Sequence, residues 1–114
     1  MKVLINQTYG GIRLTRAVFL ELGLPWPENA GRWGLAEDQV IPDNRTLGIV
    51  AEDPEAWRYD RRVIAAVEHV GLEAGGGRDV ELMIVDIPDD IAWEIRDDWG
   101  IESIHEKHRV WPPE

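Results

Sequence analysis

The C-terminal stretch HEKHRVWPPE places His105, Lys107, His108 and Arg109 within five residues, with Trp111 and two prolines after them. Cations beside an indole suit an anionic, planar ligand: arginine neutralises phosphate and the ring stacks on a base. The bland reading is a charged edge strand, whose cations discourage strand-to-strand association. That accounts for the charges and leaves Trp111 unexplained. A second basic group, Arg58, Arg61 and Arg62, lies where a helix is expected to begin, beside Trp57 and Tyr59. Cations at a helix N-terminus could hold phosphate, although Glu55 and Asp60 are close enough to neutralise them.

Other chemistries find little support. His69 is expected on a helix and His105 and His108 on a strand. Three positions apart on a strand sends two side chains to opposite faces, so no shared metal is expected. The carboxylate pairs Asp89–Asp90, Asp97–Asp98, Glu37–Asp38 and Glu52–Asp53 fall in turns or loops, where aspartate serves local hydrogen bonding. Nothing there suggests the raised pKa that a general acid requires. No Walker A, dinucleotide, nucleophile-elbow or zincin motif is present. No catalytic residue and no cofactor is therefore expected.

The bulk composition is ordinary for a small soluble globular protein. The 114 residues suit one domain, 1–114. The formal net charge of −10 argues against any long nucleic-acid partner. It leaves room for a small anion pocket built from a few of the ten arginines. There are no cysteines, which excludes disulfides and thiolate chemistry and makes the cytosol the simplest compartment. No apolar run is long enough to span a membrane, and MKVLINQTYGG is too short in apolar residues for a signal peptide. Six tryptophans cannot all be central core, so some are expected at a pocket or subunit interface.

The elements that must position these residues follow from local patterns. KVLIN, residues 2–6, reads as a strand. TYGGIRL follows as a turn or ligand-facing loop, with Asn6, Tyr9, Gly10 and Gly11 as candidate contacts. Thr15 caps a helix over 16–22 that Gly23 ends. Residues 24–58 form an irregular and mobile insertion, with a short strand over 46–50. Asp60 caps a helix over 61–73 with Val63, Val67 and Val70 on one stripe. The glycines at 75–77 end it as a flexible connection. VELMIVDI, 80–87, reads as a central strand covered on both faces. A hairpin runs from 91 to 109, turning at DDWG with Gly100 free to take positive φ. The pattern predicts an α+β fold: a mainly antiparallel sheet, two helices packed on one face, and a C-terminal β-hairpin.

NQTYGG at the start, VEHVGLEAGG, and ELMIVDIPDDIAWEIRDDWGIESIHEKHRVW resemble a group of small phage-encoded proteins. That group carries an N-x-x-Y-G-G element, a helix with a Gly-rich turn, and an IPDD turn into a hairpin closing on EKHR-x-W. The likeness covers about the first dozen residues and most of the chain from residue 60. It is similar to the first-described Thoeris anti-defence "sponge" family. Such proteins sequester nucleotide immune signals, cyclic ADP-ribose isomers and in some cases cyclic oligonucleotides, without cleaving them. They are oligomers with pockets at subunit interfaces. The resemblance implies the cytoplasm of an infected bacterial host, a homo-oligomer, and a nucleotide-derived partner. It implies that Arg109 contacts phosphate or ribose and that Asn6, Tyr9, Gly10 and Gly11 line the pocket. His108 and Arg61 are candidate neighbours, and Trp57, Trp93 and Trp111 candidate stacking rings, from the residues themselves. The turn departs from the group, with DDWG in place of a YDG-like turn. A sponge needs arginine for phosphate, a ring for stacking and loops that close, here 23–34 and 74–78; it needs no nucleophile. Two other readings stand: an acidic protein-binding inhibitor of a host factor, and a nucleotide-degrading enzyme using His105 or His108.

Overall fold

The computed structural model describes residues 1–28, 30–31 and 35–106. The elements run β1 (Lys2–Asn6), β2 (Leu14–Thr15), α1 (Arg16–Leu22), β3 (Gln39–Val40), a 3₁₀ turn (Ala56–Tyr59), α2 (Arg61–Val70), α3 (Leu72–Gly76), β4 (Leu82–Asp86), β5 (Trp93–Asp98) and β6 (Ile101–Glu106). The fold is α+β, and the antiparallel strands are divided among small two-stranded sheets, β1–β4, β2–β3 and β5–β6.

Alternation along β1 organises three layers. Leu4 points into a core with Val18 and Phe19 of α1, Val63, Ile64 and Val67 of α2, and Trp57. Val3 and Ile5 point the other way, into a smaller cluster with Ile87, Tyr59, Trp93, Ile95 and Ile104. Helices therefore cover one face of β1–β4 and the β5–β6 hairpin covers the other. A period of two sends neighbouring side chains to opposite faces, so one short strand serves both clusters. β4 contributes Leu82 and Ile84 to the first cluster and Val85 to the second. It is covered on both sides as expected, yet it pairs only with β1 among the described residues. It is an edge rather than a central strand, and Met83 is exposed.

Several local expectations change. Thr15 precedes α1, but its hydroxyl donates to the Ala74 carbonyl (2.6 Å) and does not cap. Gly23 ends that helix in the left-handed region, as a C′ glycine does. Asp60 caps α2 by accepting from the Arg62 and Val63 N–H groups. The expected 61–73 helix breaks at Gly71, whose φ of 99° and ψ of 147° no helix allows. The glycines beyond are not a flexible connection. Gly75 and Gly76 are buried in α3, and a Cβ on Gly76 would lie 2.7 Å from Val80. Their absence of side chains lets α3 meet the Val80–Leu82 segment. Residues 46–50 form turns rather than a strand, because Asp43 and Thr46 cap each other: Thr46 N–H donates to Asp43 Oδ1 (2.7 Å) and Asp43 N–H to Thr46 Oγ1 (3.1 Å). The insertion is tied to the body by pairing of β3 with β2, by Val40, Leu47 and Trp57 in the core, and by buried polar side chains. Gln39, fully buried, donates to the Gly76 and Arg78 carbonyls and accepts from the Ala36 N–H.

Among the described residues the hairpin has no strand ladder to the body. It is held by Glu102, whose carboxylate is buried under β1. Arg58 from the 3₁₀ turn grips it with two bonds of 2.7 Å, and the Asn6 N–H donates to it at 2.8 Å. Arg58 also donates to the Leu4 carbonyl and to Glu55. Burial alone would push the Arg58 guanidinium down; its hydrogen bonds to Glu102 and Glu55 outweigh that and hold it above its ordinary value. Removing one partner leaves the other charged and dry. Glu102→Leu should therefore cost about 3–5 kcal/mol in urea unfolding. The double change Arg58→Leu with Glu102→Leu should recover much of that loss. A double variant no more stable than the single one would show that the pair is not the hairpin's anchor.

Candidate functional site

The residues singled out in the sequence separate into distinct places. Tyr9, Gly10 and Gly11 meet the hairpin tip and, with Asp97, Trp99 and Gly100, line an open concavity of about 720 Å3. Trp93 lies in another cleft of about 610 Å3, between the 3₁₀ turn and the hairpin. Arg61 lines a groove of about 530 Å3 with Lys2, Tyr59, Ile64, Glu68 and Asp89. Asn6 and Trp57 are interior, at 0% and 2% exposure. Neither offers a ligand a free surface in this arrangement. His108, Arg109 and Trp111 lie outside the described residues, as does Trp33.

Asn6 is a structural latch. Its amide donates to the Thr8 carbonyl (2.7 Å) and the Gly100 carbonyl (2.9 Å), and its Oδ1 accepts from the Glu81 N–H (3.3 Å). It thus ties the end of β1 to the hairpin tip and to the approach to β4. Gln7 adds a bond from Nε2 to the Glu102 carbonyl (2.6 Å), and the Gly10 N–H donates to the Trp99 carbonyl (3.2 Å). Trp57 packs in the helical core, where Arg58 covers its ring at 4.9 Å from the centroid. An indole at the start of an amphipathic helix gave no signal that separated this role from stacking on a base.

The tip is a two-residue turn. Trp99 and Gly100 both have positive φ, 58° and 95°, as the twist of a tight hairpin requires. Gly100 N–H is taken by Asp97 Oδ1 (2.6 Å). Gly100 leaves no room for a side chain unless the loop shifts: a Cβ there would collide with the Gly11 nitrogen and lie 2.6 Å from that of Gly10. Trp99 is the unexpected member. An indole holds a left-handed position that asparagine or glycine normally fills, and its side chain is 84% exposed. Tyr9 beside it is 67% exposed. Sequence reasoning placed DDWG at the turn without assigning Trp99 a role; its rarity in such turns was the available signal.

The cleft at Trp93 has a different character. Tyr59 meets the Trp93 ring edge-on at 5.8 Å, and Asp53, Glu55, Glu94, Asp97 and Glu102 stand around them. Burial and a hydrogen bond to Asp53 raise the Tyr59 hydroxyl above its ordinary pKa. Arg58 is already committed to two carboxylates. This cleft repels phosphate. In the Arg61 groove, Glu68 is paired with Lys2 at 2.8 Å, and Asp89, drawn below its usual value by the chain's terminal ammonium at 2.6 Å, stays ionised. The two described histidines serve local contacts: His69 meets Glu21 at 2.9 Å and His105 meets Ser103 at 2.8 Å. Among the described residues no three metal-ligating side chains converge, and no helix is long and apolar enough to cross a membrane.

Two substitutions test the latch. Asn6→Ala leaves the Gly100 and Thr8 carbonyls without their donor and should cost about 2 kcal/mol in chemical unfolding. Gly100→Ala should cost about 3 kcal/mol, because overlap adds to the positive-φ strain. Amide exchange at Gly10 should speed up in both; unchanged exchange would mean that the loop holds itself. The site stands on these residues alone, since no family model, curated protein or solved structure matches the chain.

Proposed function

We propose that this chain is a binding protein that sequesters a nucleotide-derived signal intact, with Tyr9 and Trp99 taking the planar ring over the Gly10–Gly11 backbone. The reading rests on one observation above others: Trp99 is held exposed, in a strained conformation, beside an exposed tyrosine. Strain maintained at an exposed aromatic points to use of that ring. Stacking on each base contributes about 1–3 kcal/mol and needs no particular base edge. The concavity is open, so a second copy closing over it would remove the ligand from water. That agrees with the oligomeric, phage-encoded anti-defence sponges which the N-x-x-Y-G-G and EKHR-x-W elements resemble, acting in the host cytoplasm on a cyclic ADP-ribose isomer or a relative. Arg109 and His108 would add cations from the segment after β6.

A second reading has its own support. The Tyr59–Trp93 cleft, ringed by carboxylates, suits a cationic surface of a host protein. An inhibitor of that kind would capture a host partner and show no thermal shift with nucleotides. A nucleotide-degrading enzyme would shift and return product.

The test is a thermal-shift panel of cyclic ADP-ribose isomers, ADP-ribose and cyclic di- and trinucleotides. Any hit is then released by heat and identified by chromatography. The sponge reading expects a large shift and unchanged compound; altered compound or no shift ends it. Trp99→Asn sharpens the result. Asparagine tolerates the left-handed position, so the variant should be as stable as the parent or better by about 0.5–1 kcal/mol. Its affinity should fall at least about tenfold, matching the lower end of base stacking. Parental affinity in Trp99→Asn would remove Trp99 from the site.

A further inference from the structure

Arg13 stands next to the proposed stacking site with its bonding capacity largely unused. It lies two positions beyond the glycine pair, and its guanidinium packs directly on Gly10. A Cβ at Gly10 would sit 2.7 Å from Arg13 Nη2. The glycine is what admits the guanidinium to the loop. Its bonding is nevertheless poor. Nη2 donates to the Gly10 carbonyl at 3.3 Å, a long contact. Nε is the only buried side-chain nitrogen or oxygen among the described residues that lacks a hydrogen-bond partner. No carboxylate lies within ion-pair distance of Arg13 among the described residues, in a chain with 22 acidic residues. Arg58, Arg62, Arg78 and Arg96 each have a carboxylate within 4 Å, whereas Arg16, Arg45 and Arg61, like Arg13, have none among the described residues; the buried, unpartnered Nε is what sets Arg13 apart.

A guanidinium carries five donors; in Arg13 one of them, Nε–H, is buried without a partner, which is costly, while the half-buried side chain leaves others open to a ligand. A planar fork with free donors matches the oxygens of a phosphate. We infer that Arg13 is the anion-binding residue of the Tyr9–Trp99 site, and that the ligand carries phosphate within reach of Gly10 while its ring stacks at the tip. The inference rests on the proposed stacking site and adds to it the charge of the ligand and the residue that reads it. Arg13 does not line the concavity itself but touches its rim at Gly10, whereas Asp97 lines it and repels phosphate, so the anion is directed to the rim at Gly10. One ligand then has one orientation: ring towards Trp99, phosphate towards Arg13.

The experiment compares adenosine with ADP-ribose by calorimetry, on the whole chain, for the parent, Arg13→Ala, Arg13→Lys and Trp99→Asn. The parent should bind ADP-ribose at least about tenfold more tightly than adenosine, the increment of a charge-assisted bond. That ratio should shrink as salt is raised from 50 to 500 mM, since the contact is at the surface. Arg13→Ala should lose the preference while its adenosine affinity is unchanged. Arg13→Lys should keep part of it, and Trp99→Asn should weaken both compounds together. Failure of the parent to bind either compound overturns the stacking site and this inference with it. Equal binding of adenosine and ADP-ribose by the parent, or an undiminished preference in Arg13→Ala, overturns the role of Arg13 alone. Because the salt titration uses the parent, the inference stays testable should Arg13→Ala not fold.

Discussion

The buried pair of Arg58 and Glu102 is the constraint on which the rest depends. A bidentate contact at 2.7 Å joins the 3₁₀ turn to the hairpin underneath β1. Two ions removed from water are tolerable only with their remaining donors and acceptors satisfied. Here the Leu4 carbonyl, Glu55 and the Asn6 N–H complete them. Side chains and two backbone amides, those of Asn6 and Gly10, therefore do what a strand ladder does in most sheets. This demands one position of the hairpin, because a carboxylate displaced by a residue along β6 would face solvent.

Fixing Glu102 fixes the turn beyond it. Gly100 comes to rest against Gly10 and Gly11, at a separation that no side chain permits, and Asn6 closes the junction. The loop and the tip become one surface, with Tyr9 and Trp99 standing out from it and Arg13 lying along its edge. Rigid support under exposed aromatics is what recognition of a planar group requires, since little ordering then remains for the moment of binding. The same pair also divides the surface electrostatically. Arg58 is consumed by carboxylates at the acidic cleft, whereas Arg13 is left uncommitted at the loop.

What could be read from the sequence was local. The strand over 2–6, the helix over 16–22 with Gly23 behind it, the Asp60 cap and the tight turn at Gly100 depend on neighbours within a few positions, and all appear. The break at Gly71 was hidden because the valine stripe continues to Val70, and glycine is tolerated inside many helical patterns. The turns over 46–50 were hidden by an apolar run whose partners, Asp43 and Thr46, cap each other. Arg58 is neutralised by its neighbour Glu55, as expected, but its second and buried partner, Glu102, is 44 positions away and leaves no local sign. The candidate site was legible in part for the same reason. Tyr9 and the two glycines declare a special loop by their types. That Asn6 is a latch, that Trp57 is core, and that Arg13 lacks a carboxylate all depend on distant chain. The strand expected to be central is an edge, since apolar content on both faces reports coverage by layers and not the number of strand neighbours.

The pairing of β1 with β4 has a bearing on how the chain reaches this state. Lys2 faces Asp86 and Asn6 faces Leu82, while Glu102 closes over both from still later in the chain. During synthesis β1 must therefore wait, unpaired, until β4 has emerged about eighty positions later. Contacts of such long separation slow folding, because loop closure precedes any gain from them. Meanwhile α1 and α2 can meet through Val18, Phe19 and Val67, forming a helical platform before the sheet exists. Closure of the sheet and seating of the hairpin then become late and nearly simultaneous, so the Tyr9–Trp99 surface is assembled last, when synthesis of its two halves is complete.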